Sequence, residues 1–227
     1  MRAAMTARLA VESLRLGRFR SHETAHLETG GESVALVGPN GSGKTNLLEA
    51  VSLLVPGRGL RRAALEDMAA RPGAIGWRIR AGLATPEGPM AVVTGVEGAD
   101  ARRMVEIDGK AAAQTALGRR IREVWLTPAM DRLWIEGAAE RRRFLDRVTL
   151  GFDPDHAQVS TDYEKAMRER NRLLKDGVLD PAWLDGLEAQ MARLGARIAR
   201  ARAEALSALA DAQEGAETAF PAAELSF

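Results

Sequence analysis

The chain has no cysteine, three histidines, four lysines and 4% aromatic residues among its 227 positions. The lack of cysteine excludes a disulfide framework, a thiolate nucleophile and cysteine-based zinc sites. The histidines, His22, His26 and His156, are scattered, which argues against a cage of imidazole ligands. No run approaches the ~20 apolar residues needed to span a bilayer. The opening MRAAMTARLAVESLRL is broken by Arg8 and Glu12, so it reads as a strand and not as a signal peptide. The expectation is a soluble cytoplasmic protein with no membrane partner. Excess charge is lacking too: 32 basic residues face 31 acidic ones, for a net charge of +1. A nucleic-acid partner therefore has to be argued from local clusters. None of Asn40, Asn46 and Asn171 begins the guanine-reading N-K-x-D pattern, which argues against a GTPase. What is present is ordinary globular usage, 46% hydrophobic and 28% charged, on a chain long enough for a substantial core.

The first half reads as β-rich. Leu9, Val11, Leu14 and Leu16 alternate with polar residues, with one break in phase. SVALV at 33–37 is a short apolar run of the kind found in a buried strand. Ile75, Trp77, Ile79, Ala81 and Leu83 alternate strictly, so one face of that strand is expected to be buried. MAVVTGV and RMVEID follow at close spacing, the latter closed by Asp108-Gly109, a favoured hairpin dipeptide. An antiparallel meander is the simplest reading. REVWLT at 122–127 is expected as a further strand, ended by Pro128. The second half reads as helical, over 138–150 and 157–175. Gly177 stops that helix and Pro181 opens the next. Leu184, Leu187, Met191, Leu194, Ile198, Ala201, Ala205 and Ala208 then recur at spacings of three and four. Such a seam packs either against the preceding helix, as a hairpin, or between chains as a coiled coil.

The strongest chemical signal is G-P-N-G-S-G-K-T at 38–45, which fits G-x-x-x-x-G-K-[ST]. Gly38, Pro39, Asn40, Gly41, Ser42 and Gly43 make a loop whose backbone N–H groups can converge on phosphates, because glycine permits approaches a Cβ would block. The loop is expected to open a helix, TNLLEAVSLL, that ends at Pro56-Gly57 and whose N-terminus favours an anion. Lys44 supplies a point charge for the β- and γ-phosphates, and the Thr45 hydroxyl a ligand for Mg2+. By itself such a loop does not choose between an ATPase and a kinase.

Four stretches carry a resemblance: L-x-L-x-x-F-R-S-H at 14–22, GPNGSGKTNLLEAVSLL at 38–54, RRRFLDR at 141–147 and YEKAMRERNRLLK at 163–175. With them the chain resembles the N-terminal part of the RecF family, the bacterial recombination-repair branch of the SMC/Rad50-like ABC-type ATPases. The resemblance implies an α/β fold: a P-loop ABC-type ATPase head lobe with an antiparallel sheet over residues 1–136, a helical hairpin arm over 137–218, and at 219–227 the start of a returning ATPase lobe, the rest of it absent. It implies ATP and Mg2+ as cofactors and an ATP-gated homodimer in the complete protein. That dimer would bind gapped or single-stranded/double-stranded junction DNA and work with RecO and RecR in RecA loading and the SOS response. Arg20 and Ser21 of the F-R-S-H element are implied as nucleotide contacts. The other reading of Arg20 is a solvated cation at a strand end.

Some family features are missing. No apolar run ends in the acidic Walker B pair, there is no S-x-G-Q-like signature, and Thr127-Pro128-Ala129 stands where a Q-loop glutamine would. No catalytic residue is therefore assigned. The expectation is an N-terminal fragment or truncated product that binds ATP weakly by itself and does not hydrolyse it. Arginine clusters at 61–62, 102–103, 119–120 and 141–143 are candidates for DNA phosphate contacts or else ordinary solvated faces. Another SMC/Rad50-like ATPase and a P-loop kinase of a small molecule are the rival readings. The short arm disfavours the first and the meander disfavours the second.

Overall fold

A computed structural model of the chain describes residues 8–70, 76–98, 102–133, 135, 137–177, 180–214 and 216–225. The chain divides into two compact units, Met1–Trp125 and Leu126–Phe227.

The first unit is built on six strands: β1 (Ala10–Phe19), β2 (His22–Glu28), β3 (Gly76–Thr85), β4 (Gly88–Glu97), β5 (Met104–Ile107) and β6 (Lys110–Ala111). Their order is β2-β1-β3-β4-β5-β6 and every pairing is antiparallel. The expected meander is present. The break in phase along β1 is a register shift: Val11 faces Leu83 and Ser13 faces Gly82, so Glu12 is the extra residue of a bulge. Asp108 and Gly109 turn the β5–β6 hairpin with φ of 50° and 75°, the two left-handed positions of a type I′ turn. Trp77, Ile79, Ala81 and Leu83 alternate inward along β3 as the pattern requires. They pack with Leu14, Leu16 and Phe19 of β1, and the Phe19 and Trp77 rings meet edge to face with centroids 5.4 Å apart.

Helix α1 (Lys44–Val51) lies on this core and stops earlier than Pro56. Leu53, Leu54 and Val55 leave the helix but stay buried. Their turn is held by Arg103, which donates Nη2 to Leu53 O and to Val55 O (3.5 Å), Nη1 to Gly57 O (2.8 Å) and Nε to Thr94 Oγ1 (2.8 Å). Burial lowers the Arg103 pKa to about 10. Arg103 is 8% exposed and bonded in this way, which removes it from the arginine clusters that could face DNA. A short helix, α2 (Gln114–Gly118), follows β6.

Two expected strands do not form. Residues 33–37 take no place in the sheet, and Val34 and Val37 are 49% and 92% exposed. Residues 122–127 likewise pair with no strand, and Val124 and Leu126 are 81% and 82% exposed. An apolar run becomes a buried strand only when neighbouring strands complete its ladder. Among the described residues no strand pairs with either run.

The second unit is helical: α3 (Ala138–Phe152), α4 (His156–Lys175) and α5 (Pro181–Glu214). Arg170 pairs with Glu188 at 2.8 Å and Asp155 with Arg197 at 3.5 Å. The partner number falls as the other rises, so α4 and α5 run antiparallel. The seam residues of α5 are buried or half-buried along its length, and Val159, Ala166 and Leu173 of α4 repeat at sevens opposite them. The intramolecular hairpin is what the seam makes. Gly177, at φ 70°, ends α4 as expected. Asp146 of α3 ties the three helices together. Arg202 of α5 donates Nε to its Oδ1 (2.8 Å) and Nη2 to its Oδ2 (3.0 Å), and His156 Nε2 lies 2.8 Å from Oδ1. After α5, the Gln213 side chain accepts from Ala223 N (2.7 Å) and donates to Ala223 O (3.2 Å). Among the described residues no helix is long and apolar enough to cross a membrane.

Candidate nucleotide-phosphate site

The loop 38–43 leads into α1, and Gly43 is its N-cap residue, at φ 91° and without a side-chain capping bond. The first amides of the helix are thus left to the loop mouth. Gly41 is also left-handed, at φ 84°, and open space surrounds the position a Cβ would take. Gly38, Pro39, Asn40, Gly41, Ser42 and Thr45 are exposed, Lys44 is half-exposed and Gly43 alone is buried. Lys44 Nζ donates to Gly38 O and Pro39 O at 2.7 Å each, so its charge is held over the loop. A glycine-rich loop, an uncapped helix start, an ammonium group and an exposed hydroxyl at Thr45 form a donor set that fits a polyphosphate with a hard cation.

The F-R-S-H element is the second wall. His22 Nε2 lies 3.2 Å from Gly43 O, and a Cβ on Gly43 would stand 2.4 Å from that nitrogen. Ser21 Oγ accepts from Asn46 Nδ2 at 2.8 Å. Arg20, at φ 57°, is no solvated strand-end cation. Its Nε and Nη2 donate to Glu49 Oε2 (2.8 Å) and Oε1 (2.6 Å), and its Nη1 to Asp67 O (2.7 Å). Arg61 Nη1 donates to Glu49 Oε2 (2.9 Å) and Asn46 Oδ1 (2.7 Å). Arg20, Ser21, Asn46 and Arg61 line one open cleft.

All ten residues expected at the site, from Gly38 to Thr45 with Arg20 and Ser21, thus lie on the loop or on the wall against it. Sequence reasoning missed Glu49, Asn46 and His22. Glu49 did carry a signal: it is the one charge within NLLEAVSLL, and a charge on a buried helix face requires partners. Elsewhere in the unit, Glu123 is half-buried, and desolvation raises its pKa to about 7.

A phosphate loop opening a helix over an antiparallel sheet, with a helical hairpin following, is the fold of a P-loop ABC-type ATPase head. The family model "AAA domain, putative AbiEii toxin, Type IV TA system" matches residues 33–156, more than half of the chain. The chain is 48% identical over 231 residues to the DNA replication and repair protein RecF of Caulobacter vibrioides, which covers 96% of this chain and 60% of that one. It is 47% identical over 229 residues to the RecF of Agrobacterium fabrum, covering 98% and 61%. The chain belongs to the RecF family of DNA replication and repair proteins. It spans about 60% of the length of the curated relatives it matches. The fold is that of the solved recombination mediator protein RecF with ATP, in the RecFOR pathway: the TM-score is 0.81 at 24% identity, over 93% of this chain and 57% of that one.

Proposed function

We propose that this chain supplies the ATP-binding lobe and helical arm of a RecF-type, ATP-gated, DNA-binding homodimer. The complete protein would close on gapped or single-stranded/double-stranded junction DNA and act with RecO and RecR in RecA loading and the SOS response, in the cytoplasm. The observation that carries the reading is the phosphate loop with Lys44 held over it. The backbone amides of 38–45 would cradle the phosphates, with Lys44 as the point charge. Arg20 and Ser21 would line the wall beside them. Mg2+, when bound, would neutralise phosphate charge as a Lewis acid, with Thr45 Oγ1 as its protein ligand. In support stand the curated relatives' name and a solved RecF bound to ATP. For DNA, Arg119 and Arg120 are exposed, as is Arg142.

The test is Lys44→Ala in the full-length protein. ATP affinity is expected to fall roughly 10- to 100-fold, the value of a charge-assisted contact, and ATP-dependent dimerisation on gapped DNA, followed by sedimentation, is expected to vanish. Unchanged affinity and dimerisation would refute the reading. The 227-residue polypeptide by itself is expected to show no ATP turnover, and turnover that disappears in Lys44→Ala would overturn that expectation.

A further inference from the structure

Glu49 stands one helical turn beyond Thr45 on the same face of α1 and is fully buried. A buried carboxylate is costly unless opposite charge and hydrogen bonds meet it. Here two arginines do, from different parts of the chain. Arg20 comes from the β1–β2 turn and grips both carboxylate oxygens. Arg61 comes from the loop after α1 and reaches Oε2. Arg61 uses Nη1 alone for its bonds to Glu49 and Asn46, so its Nε and Nη2 have no protein partner among the described residues. Both guanidinium groups line the cleft with Ser21 and with Asn46, the residue directly after Lys44 and Thr45 in the chain. The trio of two arginines and one glutamate keeps a net positive charge in a fixed orientation.

We propose that Glu49 is a positioning residue for nucleotide binding: its carboxylate fixes the guanidinium groups of Arg20 and Arg61 in the cleft beside the phosphate loop and thereby sets the affinity for a polyphosphate. The proposal rests on the phosphate-loop reading above. Three roles of Glu49 differ in the sign of one measurement. A mere counter-ion, once neutralised, raises the local positive potential and tightens polyphosphate binding. A mere packing residue alters stability and leaves the affinity of the folded protein unchanged. A positioning residue, once neutralised, frees two arginine forks and weakens binding.

The experiment is equilibrium binding of a fluorescent ATP analogue with Mg2+ to full-length Glu49→Gln and Lys44→Ala, at a temperature where both are folded. The expected result is a Kd about tenfold higher for Glu49→Gln, the usual scale for residues that orient a binding group. In Glu49→Gln combined with Arg61→Ala the losses are expected to be less than additive, because they share one contact. An unchanged or lower Kd for Glu49→Gln, with Lys44→Ala still defective, overturns the proposal alone. Full binding by Lys44→Ala overturns the phosphate-loop reading instead. If Glu49→Gln does not fold, Arg61→Lys takes its place: it keeps the charge but loses the fork. A loss of about tenfold supports the proposal, and unchanged affinity defeats it.

Discussion

Gly43 shows how a residue can be held to one identity by two separate demands. Its φ of 91° disfavours any side chain, and its Cβ position is taken by the His22 ring. Gly43→Ala is therefore expected to lower stability by about 2 kcal/mol or more and to abolish nucleotide binding. Thermal unfolding together with a binding titration would check both. A change confined to stability would mean that His22 simply moves aside. Glu123 gives a pH prediction. Its pKa is raised from 4.5 to about 7 by burial, so the folded chain holds a proton that the unfolded chain has released. Stability from this group accordingly falls as pH rises from 4.5 to 7. Glu123→Gln is expected to flatten that slope and to gain about 2 kcal/mol above neutral pH, measured by urea unfolding across the range. A slope unchanged in the variant would assign it to other groups. The loop 38–45 stands out as a candidate because phosphate chemistry restricts a loop to few residue types, whereas Arg20 and Ser21 enter only through the family resemblance. Glu49 was not assigned a role, because its meaning depends on Arg20 and Arg61, which lie 29 and 12 positions away in the chain.

Elements were legible to the extent that their bonding is local. The α5 seam, the Gly177 stop, the Asp108-Gly109 turn and the alternation in β3 depend on near neighbours, and each stands where the pattern puts it. The runs at 33–37 and 122–127 carry equally good patterns and form no strand, because a strand needs partners that pattern cannot supply. In the second of these only one side of the alternation is covered: Ile121 is buried and Trp125 half-buried, with Glu123 half-buried between them, while Val124 and Leu126 on the other side are bare. The junction at Asp146 was also invisible, since RRRFLDR gives no hint that His156 and Arg202 converge on its aspartate. Burial pushes the Asp146 pKa up, but hydrogen bonds from His156 and Arg202, together with the charge of Arg202, bring it below 3.8. Its stabilisation is therefore present above the usual carboxylate range and lost as pH falls through the lowered value. Asp146→Asn is expected to cost the helical unit about 2 kcal/mol at neutral pH, with the difference from the parent closing in acid. Hydrogen exchange over α3, α4 and α5 would read this out. Equal protection in parent and variant at neutral pH would count against the junction.

For the molecule as a whole, one unit carries the phosphate loop and the other a helical hairpin whose α4 charges are largely paired. Glu164 with Arg168, Asp162 with Lys165 and Glu169 with Arg172 neutralise α4 along its length. The unpaired ladders have a different consequence, a colloidal one. Val37, Val124, Leu126, Ile135 and Phe220 each stand more than 80% in water, on a chain whose net charge of +1 supplies almost no mutual repulsion. Such a polypeptide attracts its own copies. Purified as 227 residues, it is expected to show a negative second virial coefficient in light scattering at neutral pH. Val124→Lys with Leu126→Glu should bring that coefficient upward while the far-ultraviolet dichroism stays the same. These bare apolar side chains thus set a practical ceiling on concentration, and solubility becomes a direct gauge of how many of them are covered.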